Sequence, residues 1–287
     1  MKTPKLSLEF FPPRSEAQQR RFWYTLGCLE TLKPAYMSMT WGALGSNSQA
    51  SLDILTDIRK ISKTPVTAHL SCAGQTEAQM RETIAQLEAL DIGDFLALRG
   101  DLCGAADPST SSDPTLKYAS DLVGLLAEKP DRDISVAAYP EAHPESPDRQ
   151  SDLKWLKHKL DAGASRAITQ FFFDPTTFLR FRDAAKEAGI NSPLVPGILP
   201  IHDIQKVLDF STKCGATVPT EIVAQFKLAT TAESRQEAAV EQCVGLCDTL
   251  MREGVEEFHL YTLNQSTLAY AVGCELMGRR VKSVAAA

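Results

Sequence analysis

Eight short apolar runs alternate with helical patterns along this chain, and no two-residue hairpin signal joins one run to the next. Antiparallel strands need only a tight turn between them, whereas parallel strands need a crossover of a dozen or more residues. The alternation therefore implies a parallel sheet. Eight units favour closure into an α/β fold of the (β/α)8 type, the TIM barrel, over an open doubly wound sheet. No G-x-G-x-x-G string follows a strand to support the open form. A barrel of this type typically uses about 250 residues, so a chain of 287 suits one. Residues 1–280 read as a single domain and residues 281–287 as a frayed tail.

Almost every run ends in polar or ionisable groups. Residues 6–11 carry Glu9, 37–42 carry Thr40, and 66–70 carry His69. Residues 95–101 end in Arg99 and Asp101, and 136–141 end in Tyr139 and Glu141 with His143 close behind. Residues 167–170 carry Gln170, and the last run spans 257–263. In a closed parallel barrel the carboxyl ends of all strands meet at one rim, where such enzymes keep their chemistry. Six polar ends on one mouth make a candidate site.

Helix starts are marked by side chains that satisfy the orphan amides of a first turn. Ser15 with Gln18, Thr76 with Gln79, and Thr230 with Glu233 fit the capping box. Asp113-Pro114, Ser146-Pro147 and Asp174-Pro175 place a capping side chain before a proline at the first helical position. Gly163, Gly189 and Gly254 mark helix ends. Residues 102–114 and 212–231 are too long for ordinary loops, and the second should hold an extra short helix after the seventh strand.

Several function classes fall away. A net charge of −6 argues against a general nucleic-acid binder. No uncharged apolar run is long enough to span a bilayer, and the first strand begins too early to leave room for a secretory signal, so the cytoplasm is the expected compartment. The cysteine count is seven, with no C-x-x-C pair. Cys243 and Cys247 read as core. Cys72 and Cys103 lie near the rim but have no evident base beside them. Five histidines without H-x-H or H-E-x-x-H give no expected metal. No rim lysine suits a Schiff base, and no Ser-His-Asp set suggests itself. What remains is a bed of hydrogen-bonding groups with one or two acids. That pattern suits an enzyme whose organic cofactor carries the difficult chemistry.

Each residue also has a plain structural reading. Glu9 could be tied into a salt bridge, Asp101 could cap a helix, and His69 could be a satisfied core histidine. Phe171, Phe172 and Phe173 read as core. Asp152, Trp155 and Lys159 share one helical face and could simply be solvated.

Several strings carry more. Residues 9–14 (EFFPPR), 98–101 (LRGD), 135–145 (SVAAYPEAHPE), 168–174 (ITQFFFD), 196–200 (PGILP) and 258–264 (FHLYTLN) resemble the bacterial methylenetetrahydrofolate reductase family, in order and over nearly the whole chain. The resemblance implies an eight-stranded barrel that binds FAD non-covalently. It implies hydride transfer from NADH or NADPH to 5,10-methylenetetrahydrofolate, giving 5-methyltetrahydrofolate, with both substrates using one flavin face. A homo-oligomer, dimer or tetramer, goes with it. Glu9 matches the family's general acid, and Asp101 the acid beside the flavin and the pterin. Gln170, Asp101 and Thr40 match substrate contacts. Thr40, Trp41, Ala43, His69, Arg99, Gly100, Asp101, Tyr118, Ala119, Tyr139 and His143 match flavin contacts. Asp152, Trp155, His158 and Lys159 match the helical face that holds the cofactor's outer half.

The chain departs from enterobacterial relatives at three of these places. Trp155 and His158 stand where those relatives have asparagine and arginine, and Gln265 stands where they have arginine. An arginine suits a carboxylate-bearing folate tail, so Lys206, Arg180 or Arg182 is expected to substitute. Two rivals stay open: a related barrel that mainly oxidises methyltetrahydrofolate, and a non-catalytic barrel subunit.

Overall fold

The computed structural model describes residues 3–40, 48–100 and 116–278. Eight parallel strands close into one barrel in sequence order. They are β1 (Lys5–Phe10), β2 (Tyr36–Met39), β3 (Val66–Ser71), β4 (Asp94–Leu98), β5 (Ile134–Ala138), β6 (Arg166–Phe171), β7 (Leu194–Ile198) and β8 (Glu257–Tyr261). The helices are α1 (Glu16–Glu30), α2 (Ser48–Ile61), α3 (Glu77–Glu88), α4 (Ala119–Leu126), α5 (Arg149–Asp161), α6 (Pro175–Glu187), α7 (Ile204–Cys214), α8 (Thr220–Leu228), α9 (Ala232–Arg252) and α10 (Ser266–Leu276). The extra helix expected within residues 212–231 is α8.

Strand alternation sorts the side chains. On β1, Leu6, Leu8 and Phe10 join the apolar layer between sheet and helices, while Ser7 and Glu9 take the other face. Register then sets their neighbours. Ser7 lies between Tyr36 and His259, and Glu9 between Ser38 and Tyr261. Leu96, Ile168 and Val195 form a separate small cluster of their own. A third cluster, around Phe171, Phe173, Val207 and Phe226, packs the helices that follow β7.

Caps hold most helix starts as the sequence suggests, with three differences. Thr76 and Gln79 form the full capping box. Ser15 accepts from the Gln18 N–H, but the Gln18 side chain accepts from Arg14 rather than from Ser15, so that box is half made. At α9 the cap is Thr231 paired with Ser234, one residue beyond Thr230 and Glu233. A serine hydroxyl at the third position both donates and accepts, and does the work expected of glutamate. Ser146-Pro147 does not open α5. Asp148 does, accepting from the Ser151 N–H at 2.7 Å, while Ser146 binds Asp152 at 3.0 Å. Asp174-Pro175 opens α6 as read. Gly163, Gly189 and Gly254 all follow helices with positive φ. Cys243 and Cys247 are fully buried.

Among the described residues no helix is long and apolar enough to cross a membrane, and no cluster of His, Cys, Asp or Glu could hold a metal. Trp41, Ala43, Asp101, Cys103 and Asp113-Pro114 lie outside the described residues.

Candidate active site

The polar groups sit at or just past the carboxyl ends of the strands. Thr40 follows β2, Arg99 and Gly100 follow β4, and Tyr139 follows β5. Glu9 is the centre of the arrangement. Its side chain is 21% exposed, and among the described residues its ion-pair contacts are with histidines, not with arginine or lysine. Its neighbours are two histidines on opposite sides. His259 Nε2 is 3.4 Å from Oε2, within reach of a long hydrogen bond. His69 Nε2 is 3.7 Å from the same oxygen, too far for one.

Burial pushes the Glu9 carboxyl up, but the His259 hydrogen bond and positive charge on His69 and His259 pull it down further, leaving it below the ordinary value. His69 itself is pushed down to about 4, first by burial. At neutral pH it is therefore uncharged and contributes no such pull. Among the described residues its buried Nε2 has no hydrogen-bond partner, and neither has Thr40 Oγ1. Two orphaned polar atoms at the ends of β2 and β3 are costly to keep unless something binds them.

The ends of β3 and β4 approach closely. Ser71 Oγ donates to Arg99 O at 3.0 Å. Gly100 follows with φ 85°, and a Cβ there would stand 1.7 Å from Ser71 Oγ. The Arg99 guanidinium turns to Glu145, with Nη2 2.7 Å from a carboxylate oxygen. The Glu145 N–H donates to His143 Nδ1 at 3.1 Å, and His143 meets the Tyr139 ring edge-on. The resemblance did not single out Glu145, which links these residues.

A second group lies on α4 and α5. Tyr118 and Trp155 are half exposed and stack with ring centroids 6.1 Å apart, and His158 stands edge-on to Trp155. Ala119 opens α4, where Asp121 accepts from the Lys117 and Tyr118 N–H groups. Lys159 Nζ donates to Ala137 O at 2.6 Å. Burial holds its ammonium down at about 8, against an opposing pull from Asp152.

On β6, the Gln170 side chain accepts from the Phe171 N–H at 3.0 Å. Phe171 stacks on Phe210 of α7, which is 49% exposed. Neither Phe210 nor the pair Ser7 and His259 was expected in the site. The period-two spacing of Ser7 with Glu9 and His259 with Tyr261 was a usable signal, and Phe210 gave none.

Other residues are drawn away from the mouth. Glu141 accepts the Thr217 N–H at 2.8 Å, tying β5's loop to the segment after α7. Cys72 is buried, with its thiol pushed up to about 11 by burial, which removes it as a nucleophile. Arg182 donates to Glu253 O at 2.9 Å, at the end of the barrel where β8 begins. It cannot reach a folate tail at the rim. Lys206, 3.7 Å from Asp203 in the first turn of α7, stays mostly exposed at the rim end.

A family profile described as Methylenetetrahydrofolate reductase matches residues 1–277. The chain belongs to the methylenetetrahydrofolate reductase family. It is 41% identical to the 5,10-methylenetetrahydrofolate reductase of Pectobacterium carotovorum subsp. carotovorum, over 96% of this chain and 90% of that one. It is 40% identical to the enzyme of that name from Escherichia coli K12, over 96% and 91%. A plant member, Methylenetetrahydrofolate reductase (NADH) 1 of Arabidopsis thaliana, is 31% identical over 93% of this chain and 47% of that one. Among solved structures, a Clostridium thermocellum protein described as binding two copies of 5-methyl-5,6,7,8-tetrahydrofolic acid superposes with a TM-score of 0.65. It covers 96% of this chain and 95% of its own at 13% identity, which speaks for the barrel alone. Membership in the reductase family disfavours the bare-scaffold rival.

Proposed function

We propose that this chain interconverts 5,10-methylenetetrahydrofolate and 5-methyltetrahydrofolate by hydride transfer through FAD, with NADH or NADPH as electron donor. The observation that carries this reading is Glu9, a rim carboxyl that among the described residues meets histidines rather than an arginine or lysine, beside Thr40 Oγ1 and His69 Nε2, which have no hydrogen-bond partner among those residues.

The residues present fit a flavin. Thr40 and His69 offer unsatisfied polar atoms to a ring edge, and Gly100 leaves backbone uncovered where a side chain would meet Ser71. Arg99, Tyr139 and His143 line the neighbouring strand ends. Tyr118, Ala119, Asp152, Trp155, His158 and Lys159 would hold the outer half, with Lys159 as the cation for a diphosphate and the aromatic pair as a platform. Trp41, Ala43 and Asp101 complete the set by family likeness. When bound, FAD supplies a hydride carrier between the two substrates.

The protein's own work is acid–base and positioning. Glu9 delivers a proton to a nitrogen of the folate, so that the methylene bridge opens to an electrophilic iminium. The carboxyl is held below its ordinary value in the free protein. A bound ring at the mouth would cover the exposed fifth of the Glu9 side chain and add to the burial that already pushes this group up, favouring its protonated form. Gln170 holds the substrate, with Thr40 and Asp101 as further contacts. Phe171 and Phe210 offer an apolar wall that excludes water.

Purified protein tests the cofactor. A flavin absorption spectrum that is bleached by a reduced nicotinamide and restored by methylenetetrahydrofolate supports the reading. Protein that neither contains nor takes up FAD contradicts it.

A further inference from the structure

Behind Glu9, away from the mouth, lies a chain of buried polar groups that the reaction as described does not use. Ser7 and His259 are both fully buried. Ser7 Oγ is 2.8 Å from His259 Nδ1, and His259 Nε2 is 3.4 Å from Glu9 Oε2. Ser7 Oγ also lies 3.3 Å from Phe258 O. Register explains the line: Ser7 pairs with His259 across β1 and β8, and Glu9 stands one pleat further along.

The charge on Glu9 decides how the imidazole is protonated. A ring nitrogen facing an ionised carboxylate must carry a proton, since two lone pairs repel. Nε2 is therefore the donor to Oε2. In the neutral ring Nδ1 is then the acceptor, and the one Ser7 hydroxyl proton goes to it at 2.8 Å in preference to Phe258 O at 3.3 Å. Oε2 is thereby committed to His259. Oε1 is the oxygen left for a transferable proton.

We infer that Ser7 and His259 are positioning residues that fix Glu9 by its Oε2 and so reserve Oε1 for the proton passed to substrate. This rests on the reading of Glu9 as the acid. Other ionisable groups face the same line. His69 approaches Glu9 from β3. The Tyr36 ring stacks on His259 from β2, with its hydroxyl toward Ser7. Arg166, paired with Asp133 and Glu257, sits over the far side of Tyr36. The Tyr261 ring meets His259 edge-on from β8. Among the described residues, the ion-pair contacts of Glu9 itself are with His259 and the uncharged His69.

The test has a readout that a merely structural role would not move. In the full chain labelled with 15N-histidine, five ring systems need resolving. His259 should show its proton on Nε2 and a free Nδ1. Ser7→Ala removes the donor to Nδ1. The bond that holds Glu9 down then weakens, so the pH above which the folate half-reaction fails should move up by about one unit. Nicotinamide reduction of the flavin should be unaffected, and Ser7→Thr, which keeps a hydroxyl, should restore the wild-type profile. A proton on Nδ1, alone or together with Nε2, overturns the inference. So does an unchanged pH profile in Ser7→Ala. If that variant does not fold, the labelled wild type still decides. Should Glu9→Gln leave the folate half-reaction intact, the acid reading fails, while the His259 spectrum separately reports whether the hydrogen-bonded line exists.

Discussion

Lys159 Nζ donates to the carbonyl oxygen of Ala137 at 2.6 Å, mooring α5 to the carboxyl end of β5. The ammonium is thus held against a strand-end carbonyl, with no carboxylate paired to it among the described residues, and burial lowers it to about 8. An anionic diphosphate would supply the missing charge and raise that value again. The sign of the linkage follows. Below about pH 8 the lysine is charged with or without ligand, and affinity is flat. Above it, binding must take up a proton, and affinity falls. The FAD affinity of the apoprotein, measured by fluorescence titration, should be about tenfold weaker at pH 9 than at pH 7. Lys159→Met should bind more weakly at pH 7 and lose the pH dependence. A wild-type affinity flat across that range would show that Lys159 does not hold the diphosphate.

The barrel was legible because each strand–helix unit carried its own punctuation, from Thr76 with Gln79 to Asp174-Pro175. Strand ends were less so. β2, β4 and β5 stop short of the polar residue that seemed to end them, and β8 stops at Tyr261 rather than Leu263, because ladder pairing ceases where the chain turns outward over the rim. Glu9, His69 and Arg99 could be placed at the mouth from their runs alone. His259 was harder, since an apolar run around a histidine reads as core; its period-two spacing with Tyr261 was a signal, but only pairing with β1 reveals its neighbour. Arg182 shows the opposite error. It shares α6 with Arg180, but the helix carries it to the far end of the barrel. Tertiary placement, which composition does not encode, decided both.

Gly197 on β7 offers a test of how tightly the rim is packed. A Cβ there would stand 2.2 Å from Thr169 O and 2.6 Å from the Tyr261 ring. The Tyr261 hydroxyl already donates to that same Thr169 carbonyl at 2.7 Å. Backbone cannot yield as a flexible side chain can. Gly197→Ala should cost about 1–3 kcal/mol and lower Tm by several degrees. An unchanged melting curve would mean that the strands separate more readily than this geometry suggests.

The Trp155 ring is half exposed against Tyr118. An exposed stack contributes little to folding, so Trp155→Ala should leave Tm nearly unchanged. Aromatic stacking is worth about 0.5–1.5 kcal/mol. Flavin affinity should therefore fall about two- to tenfold, and binding of FAD should quench the tryptophan fluorescence of the wild type more than that of the variant. Equal affinity in both would assign Trp155 to the solvated surface.

Glu9→Gln addresses the central claim. The amide is nearly isosteric, so fold and flavin binding should survive, but it has no acid proton to give. Stopped-flow traces of the two half-reactions separate the roles. Reduction of the flavin by a nicotinamide needs no such proton and should proceed at close to the wild-type rate. Reoxidation by methylenetetrahydrofolate should slow by about 10²–10⁴-fold, the usual worth of general acid catalysis. Equal loss in both half-reactions would make Glu9 a structural residue, and an undiminished folate half-reaction would place the acid elsewhere.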